Sequence, residues 1–397
     1  MEGEMAEPER IRQTGLWDKA RGSLLCIFTL LSALLGCMYI LTPIMPLLFV
    51  DHRLWRKIVD RLIGYWLMLP SGLIELAYGT KIRVTGTKID HSEPALIIMN
   101  HRTCLDWLFF WNLLIRMDPW LLTSEKISLK GILKYLPGAG WAMGCNAYMF
   151  LDRSFDNDSS RIMRMIDYYA NSGLNYQLLL FPEGTDKCER ATERSRIYAE
   201  KKGLVHYAHV LHPKTTGFTF IIKKMREAGY IKHIYDVTVA YADSIVQSEV
   251  DLFLLGACPK SVHYDVRQFE AASLPESDEE LAKWLLELWR KKEERLEKFY
   301  AQECIAERQL DMEPNAKLFD ISTRSRTIQC TVATFWMCLT FAWMYIFVSY
   351  SSQLSLAALT FSVFIGSQVA YGGIEWIAVK VAARSRLSTA SVTNHTN

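Results

Sequence analysis

Ala95-Leu96-Ile97-Ile98-Met99-Asn100-His101-Arg102-Thr103-Cys104-Leu105-Asp106 joins a short apolar run to a polar turn that carries a histidine and an aspartate. The run is continuous, partly β-branched and bounded by polar residues, which predicts a strand buried on both faces. His101 and Asp106 follow it five positions apart. In a straight helix that spacing sets side chains about 140° apart, so the two meet only if His101 lies on the turn entering the helix. There the aspartate would accept from one imidazole nitrogen, fix the tautomer and leave the other nitrogen free as a base. A histidine beside a carboxylate is also often just a satisfied polar contact, so the pair alone does not name a reaction.

Gln177–Phe181, Val237–Tyr241 and Thr219–Ile222 read as further buried strands. Val262, Tyr264 and Val266 alternate with His263, Asp265 and Arg267, which predicts a half-exposed strand. Ser277 with Glu280 makes a possible capping box, and Leu281, Trp284, Leu285, Leu288, Trp289, Leu296 and Phe299 then recur at helical spacing. Strand-like and helical patterns alternate over residues 80–315, which predicts a single α/β domain. Two more loops stand at strand ends. Phe181-Pro182-Glu183-Gly184-Thr185 has a proline that stops the ladder and a glycine that permits positive φ or close substrate approach, although Pro and Gly mark ordinary turns too. Phe150-Leu151-Asp152-Arg153 ends in an arginine whose planar fork suits phosphate or carboxylate. The run Asp186–Arg196, with Lys187, Arg190, Arg194 and Arg196 among acids, reads as a solvated face.

Half of the 397 residues are hydrophobic, and the excess lies in long runs. Gly22–Val50 has no charged side chain over 29 residues, more than the roughly 20 that span a bilayer. It is expected to be a retained anchor, kinked or ended by Pro43 and Pro46, with a re-entrant shape possible. Leu62–Ile74, interrupted by Pro70 and Gly72, reads equally as an interfacial helix or as a buried helix packed on the domain. In the interfacial reading Tyr65 and Trp66 sit at headgroup level, and Arg53, Arg56, Lys57 and Arg61 meet lipid phosphates. Thr327–Ile374 is uncharged over 48 residues and breaks at Ser349–Gln353, which predicts a transmembrane hairpin. Arg324 and Arg326 precede it, and Lys380, Arg384 and Arg386 follow it, so the domain between the membrane segments is expected in the cytosol. Four basic residues stand on each side of the first run and leave its orientation open. The expected division is a polar tail over 1–21, anchor and interfacial helix over 22–79, domain over 80–315, hairpin over 327–374 and polar tail over 375–397. The patterns Asn157-Asp158-Ser159 and Asn394-His395-Thr396 would be glycosylated only in a secretory lumen, so neither is expected to be used.

A formal charge of +2 gives no reason to expect nucleic acid as a partner. Nine cysteines form no C-x-x-C pair, and Cys26, Cys37, Cys330 and Cys338 lie in apolar runs, so no disulfide framework is expected. Cys104, between His101 and Asp106, invites a nucleophile reading, but free cysteine commonly serves as a small buried hydrophobe. His206, His209 and His212 recur every third residue without a carboxylate or cysteine at ligand spacing, so no metal is expected. There is no G-x-S-x-G elbow and no P-loop, and Gly138-Ala139-Gly140 with Gly144 misses the dinucleotide spacing by one place.

Taken together, the blocks resemble the glycerophospholipid acyltransferase family. Asn100, His101 and Asp106 match its Asn-His-(four residues)-Asp signature, and Phe181–Thr185 match its Phe-Pro-Glu-Gly-Thr signature, in the family's order. Phe150, Leu151 and Arg153 look like its substrate-binding block, although the glycine usual three positions before that phenylalanine is Ala147. Met99–Thr103, Asp106-Trp107, Gly140–Met143, Leu211–Pro213, Thr215–Phe220 and Val239–Tyr241 look like the lysocardiolipin and lysophosphatidylinositol acyltransferase branch. The resemblance implies an α/β acyltransferase domain, which the uncharged runs supply with an amino-terminal membrane anchor and a carboxy-terminal transmembrane helical hairpin. It implies His101 and Asp106 as the catalytic pair, with Arg153, Glu183, Gly184 and Thr185 binding substrate: Arg153 on the lysophospholipid phosphate, Glu183 orienting that arginine or the acceptor. Donors near Gly184 could stabilise the oxyanion. Acyl-coenzyme A would be co-substrate, no cofactor would be needed, and the setting would be the endoplasmic reticulum membrane. Alternatives are a lysophosphatidic acid acyltransferase, a non-catalytic lipid-binding protein that kept the fold, and a membrane hydrolase.

Overall fold

The computed structural model describes residues 14–394. Residues 1–13 and 395–397, with Arg10, Arg12 and the His395-Thr396 of the second glycosylation pattern, lie outside the described residues. Strands run over β1 (Lys81–Gly86), β2 (Ala95–Met99), β3 (Glu125–Lys130), β4 (Met149–Leu151), β5 (Gln177–Leu180), β6 (His233–Tyr241), β7 (Ser261–Glu270) and β8 (Lys317–Leu318). They form one sheet in the order β4-β3-β5-β2-β6-β7-β1-β8. From β4 to β6 every pairing is parallel; β7 then runs antiparallel to β6 and parallel to β1, and β8 runs antiparallel to β1. All five residues of β2 are buried, as its apolar run requires of a strand covered on both faces. Because β4, β3, β5, β2 and β6 share one direction, their carboxyl ends open on the same edge, where ligands of open α/β sheets sit.

The longer helices are α1 (Leu16–Gly36), α2 (His52–Tyr78), α3 (Asp106–Met117), α4 (Ala139–Cys145), α5 (Phe155–Ala170), α6 (Glu189–Lys202), α7 (Thr215–Glu227), α8 (Asp278–Tyr300), α9 (Thr323–Ser349), α10 (Gln353–Tyr371) and α11 (Ile374–Asn394). Among the described residues three stretches are long and apolar enough to cross a membrane: Leu16–Ile44, Thr323–Ser349 and Gln353–Tyr371. The first begins six residues before the uncharged run. It passes through a π-turn over Cys37–Leu41, where the ladder ahead of Pro43 widens. Both the backbone N–H and the hydroxyl of Thr42 reach Cys37 O. Ser277 Oγ accepts from Glu280 N and opens α8, as its capping pattern indicates.

Several sequence expectations need correction. Thr219–Ile222 is not a strand but part of α7, because Phe218, Ile221, Ile222 and Met225 are buried at helical spacing. β7 is not half-exposed: Asp265 is buried, accepting from Thr85 Oγ1 at 2.9 Å and from Arg295 at 2.7 Å. Pro70 does not interrupt α2, which runs 27 residues. Ser71 Oγ donates to Leu67 O at 2.9 Å, beside the Trp66 carbonyl that the proline leaves without its helix partner. This helix takes the buried option. Gly64 lies so close to the chain at Leu122 that a Cβ there would come within 2.7 Å of that carbonyl oxygen. Arg56 meets no lipid phosphate; it is buried against Asp60 at 2.6 Å. Within the stretch 375–397 expected as a polar tail, the described residues are helical, in α11.

Candidate functional site

His101 stands on the turn between β2 and α3, and Asp106 is the first residue of α3. The turn brings His101 Nδ1 to 2.9 Å from Asp106 Oδ2, the meeting that a straight helix would forbid. Asp106 is wholly buried, and three further bonds hold it: from Thr103 N to Oδ2 at 3.1 Å, from Thr103 Oγ1 to Oδ1 at 3.4 Å and from Tyr241 Oη to Oδ1 at 2.6 Å. Tyr241 ends β6, and burial followed by the Asp106 charge raises its phenol well above the ordinary value, so it stays a donor. Asn100 acts as a strand clip, donating to Val239 O at 3.0 Å and accepting from Val239 N at 2.9 Å. The imidazole stacks on Phe181 with ring centroids 4.1 Å apart, which fixes its plane. Nδ1 is thus committed, and Nε2 is the nitrogen left for chemistry in the cleft that His101 lines.

Glu183, in the loop after β5, lines the cleft and is held by three N–H donors. Its carboxylate accepts from His101 N and Trp289 Nε1, both at 3.2 Å, and from Leu211 N at 3.2 Å. It therefore ties the histidine's backbone to α8 and to the segment before α7, and these bonds leave Arg153 unaddressed. Burial pushes Glu183 up to about 7, with His101 and its N–H donors drawing it back. A group whose folded-state pKa is raised from 4.5 stabilises the fold fully below that value and loses the contribution as pH rises through about 7. Thermal unfolding followed across that window is expected to show stability falling more steeply with pH in the wild type than in Glu183→Gln. Parallel slopes would refute the assignment.

Gly184 has φ +74, and its N–H donates to Phe181 O at 2.9 Å. That amide is spent inside the turn and is not available to an oxyanion. Thr185 lines the cleft and its hydroxyl donates to Asp186 at 3.4 Å. A Cβ on Gly184 would lie 3.1 Å from Lys214 Nζ, so the lysine packs directly on the glycine. Arg153, just past β4, adopts φ +65, a left-handed conformation rare outside glycine and found at strained functional positions. Ala147, where the resembling family usually has glycine, also has positive φ, at +53, and its carbonyl accepts from Tyr169 Oη at 2.6 Å. The backbone thus keeps the glycine-type conformation without the glycine.

A cleft of about 1030 Å³ collects these residues. His101, Arg153, Glu183, Gly184 and Thr185 all line it, with Leu129, Leu133, Leu151, Phe155, Ile162 and Leu180 as apolar wall. Lys130, Arg194 and Lys214 add cations that the sequence reading did not assign, so one part of the run taken as a solvated face belongs to the site. No pattern within a single block could have found Lys214, Tyr241 or Trp289; each arrives on a different element. Cys104 also lines the cleft, but burial and then the Asp186 charge push its thiol above the ordinary value, which removes the thiolate a nucleophile needs. His209 stacks on Tyr300 and His212 on Tyr207, so the three-residue histidine spacing builds no common face. Among the described residues no group of three His, Cys, Asp or Glu side chains could hold a metal ion. Gly138 and Gly140 serve close packing: a Cβ on Gly138 would come within 2.6 Å of Leu34 N, and one on Gly140 within 2.3 Å of Leu133 O.

A buried acid aligning a histidine at the wall of an apolar, cation-rimmed cleft suits deprotonation of a hydroxyl on an amphiphilic anion. Comparison with known proteins agrees with that chemistry. A family profile described as acyltransferase matches residues 81–242, and one described as acyltransferase C-terminus matches residues 253–336. The chain is 46% identical over 290 residues to lysophosphatidylinositol acyltransferase 10 of Caenorhabditis elegans, covering 73% of each chain. It is 38% identical over 361 residues to lysocardiolipin acyltransferase 1 of Gallus gallus, covering 90% of this chain and 93% of that one. A more distant relative is the probable 1-acyl-sn-glycerol-3-phosphate acyltransferase 5 of Arabidopsis thaliana, 29% identical over 75% of this chain and 78% of the other. With the profile, the relatives and the site's chemistry in agreement, this chain belongs to the acyltransferase family.

Proposed function

We propose that this enzyme moves a fatty acyl group from acyl-coenzyme A to the free hydroxyl of an anionic lysophospholipid. The observation that carries the reading is the 2.9 Å contact of His101 with buried Asp106 at the wall of the cleft. As the acceptor oxygen attacks the thioester carbon, Nε2 takes the hydroxyl proton, and Asp106 stabilises the imidazolium that forms. Collapse of the tetrahedral intermediate breaks the C–S bond, the ester forms, and the proton passes to the departing coenzyme A sulfur. Since the Gly184 amide is already bonded, the Lys214 ammonium packed on it is the nearer candidate for the developing oxyanion. Arg153 takes the acceptor phosphate, and the apolar wall takes acyl chain. No cofactor or metal has a part in these steps.

The headgroup assignment leans on the relatives named for lysophosphatidylinositol and lysocardiolipin, which are more similar than the one named for 1-acyl-sn-glycerol-3-phosphate. We place the sheet on the cytosolic face of an endoplasmic reticulum membrane, with α9 and α10 as a spanning pair. The positive-inside rule supports that orientation, since Arg324 and Arg326 stand at the start of α9, and Lys380 and Arg384 follow α10. The test is acceptor competition: purified protein, labelled oleoyl-coenzyme A and an equimolar panel of lysophospholipids. Label is expected in phosphatidylinositol or cardiolipin products; label confined to phosphatidic acid would make the lysophosphatidic acid reading the right one.

A further inference from the structure

The turn over residues 131–137 joins the cleft to the apolar helices. Ile132 and Leu133 line the cleft. One residue later, Lys134 Nζ donates to Gly372 O at 3.0 Å, just past the end of α10, and Gln368 Nε2 returns a bond to Lys134 O at 3.1 Å. Directly after the turn, Gly138 packs on the backbone of α1 at Leu34, and Trp141 stacks on Phe364 of α10 with centroids 4.8 Å apart. Two candidate spans therefore clamp the turn, yet its tip is open. Ile132 is 67% exposed, Tyr135 57% and Leu136 39%, and Pro137 is exposed as well. On α10 the bare apolar surface continues through Ile365 and Val369, 50% and 83% exposed.

A compact group of large apolar side chains on a clamped turn, continuous with helices suited to a bilayer, is a surface built to be covered by lipid. Tyrosine favours the headgroup level, and Lys130 and Lys134 flank the tip with charge that favours anionic headgroups. We propose that the tip Ile132–Pro137 inserts into the boundary between headgroups and acyl chains of an anionic bilayer, and forms the lip over which a lipid chain enters the cleft. Entry rests on the lysophospholipid reading; insertion does not.

The full chain would be reconstituted into phosphatidylcholine–phosphatidylglycerol vesicles, with and without bromine on the lipid chains. Tyr135→Trp is expected to add emission that brominated lipid quenches beyond the wild-type level. Tyr135→Asp combined with Leu136→Asp is expected to lower transfer to a long-chain lysophospholipid held in the bilayer about tenfold, through KM. Transfer to a water-soluble short-chain analogue should stay within about twofold, since neither residue lines the cleft. Absence of added quenching overturns the proposal, as does equal loss on both substrates or no loss on either. If wild type acylates neither acceptor, the lysophospholipid reading fails while the quenching still decides insertion.

Discussion

Replacing His101 with alanine is expected to lower kcat for acyl transfer by about 10² to 10⁴-fold, the range by which a positioned general base accelerates proton transfer. KM for both substrates should change little, because the imidazole touches the reacting oxygen in the transition state more closely than any ground-state group. Stability to thermal unfolding should fall by about 1–3 kcal/mol, because buried Asp106 loses its Nδ1 partner and Phe181 its stacked ring, so kcat is compared at a temperature where both proteins are folded. Asp106→Asn is expected to be comparably damaging for a different reason: the amide can present its NH₂ to Nδ1 and turn the imidazole to the wrong tautomer. Tyr241 Oη would still find the amide oxygen, but Thr103 N, which shares Oδ2 with the imidazole, would lose its acceptor, so the wrong tautomer would come with a weakened turn. Transfer by His101→Ala at the wild-type rate, measured as labelled phospholipid from oleoyl-coenzyme A, would remove the histidine from its proposed role.

Asp60→Ala is expected to destabilise the protein by about 3–5 kcal/mol, the usual penalty for removing one partner of a buried ion pair. Asp60 on α2 accepts from Lys126 Nζ at 2.8 Å and from Tyr176 Oη at 2.7 Å, and it pairs with Arg56 at 2.6 Å. Burial works against this carboxylate, but Arg56 and Lys126 outweigh it and hold Asp60 below the usual carboxylate range. Without Asp60 two cations remain buried with little to answer them. Lys126 begins to lose charge more easily already, pulled down to about 8 by burial, with Asp60 opposing that fall. The cluster joins α2, which lies beside α1 and α9, to β3 and β5, so its loss should loosen the helices from the sheet that carries the site. Thermal unfolding in detergent, with limited proteolysis to locate the opened segment, checks this. A change below about 1 kcal/mol, typical of exposed pairs, would show that the cluster is solvated and contributes little.

The local chain specifies those features whose partners lie within one turn. His101 meets Asp106 because a strand, a turn and a helix start occupy consecutive residues, and the backbone geometry of that unit leaves the pair one way to face. The same holds for the glycine at 184, the cap at Ser277 and the uncharged runs, whose lengths against bilayer thickness depend on composition alone. Tertiary structure decided everything whose partner is distant. Arg56 reads from sequence as a surface cation; Asp60 lies one helical turn away, but the arginine is buried because β3 packs there and brings Lys126 onto the same carboxylate. Glu183 reads as a substrate ligand, and spacing gives no sign that it also braces His101 N and Trp289, because α8 crosses behind the loop only in the fold. Tyr241 reaches Asp106 only because β6 lies beside β2, a neighbourhood set by strand order and invisible to spacing along the chain. Local geometry is encoded by steric rules that act between neighbours, whereas burial and pairing follow from which surfaces cover each other, and those surfaces exist only once the sheet has assembled.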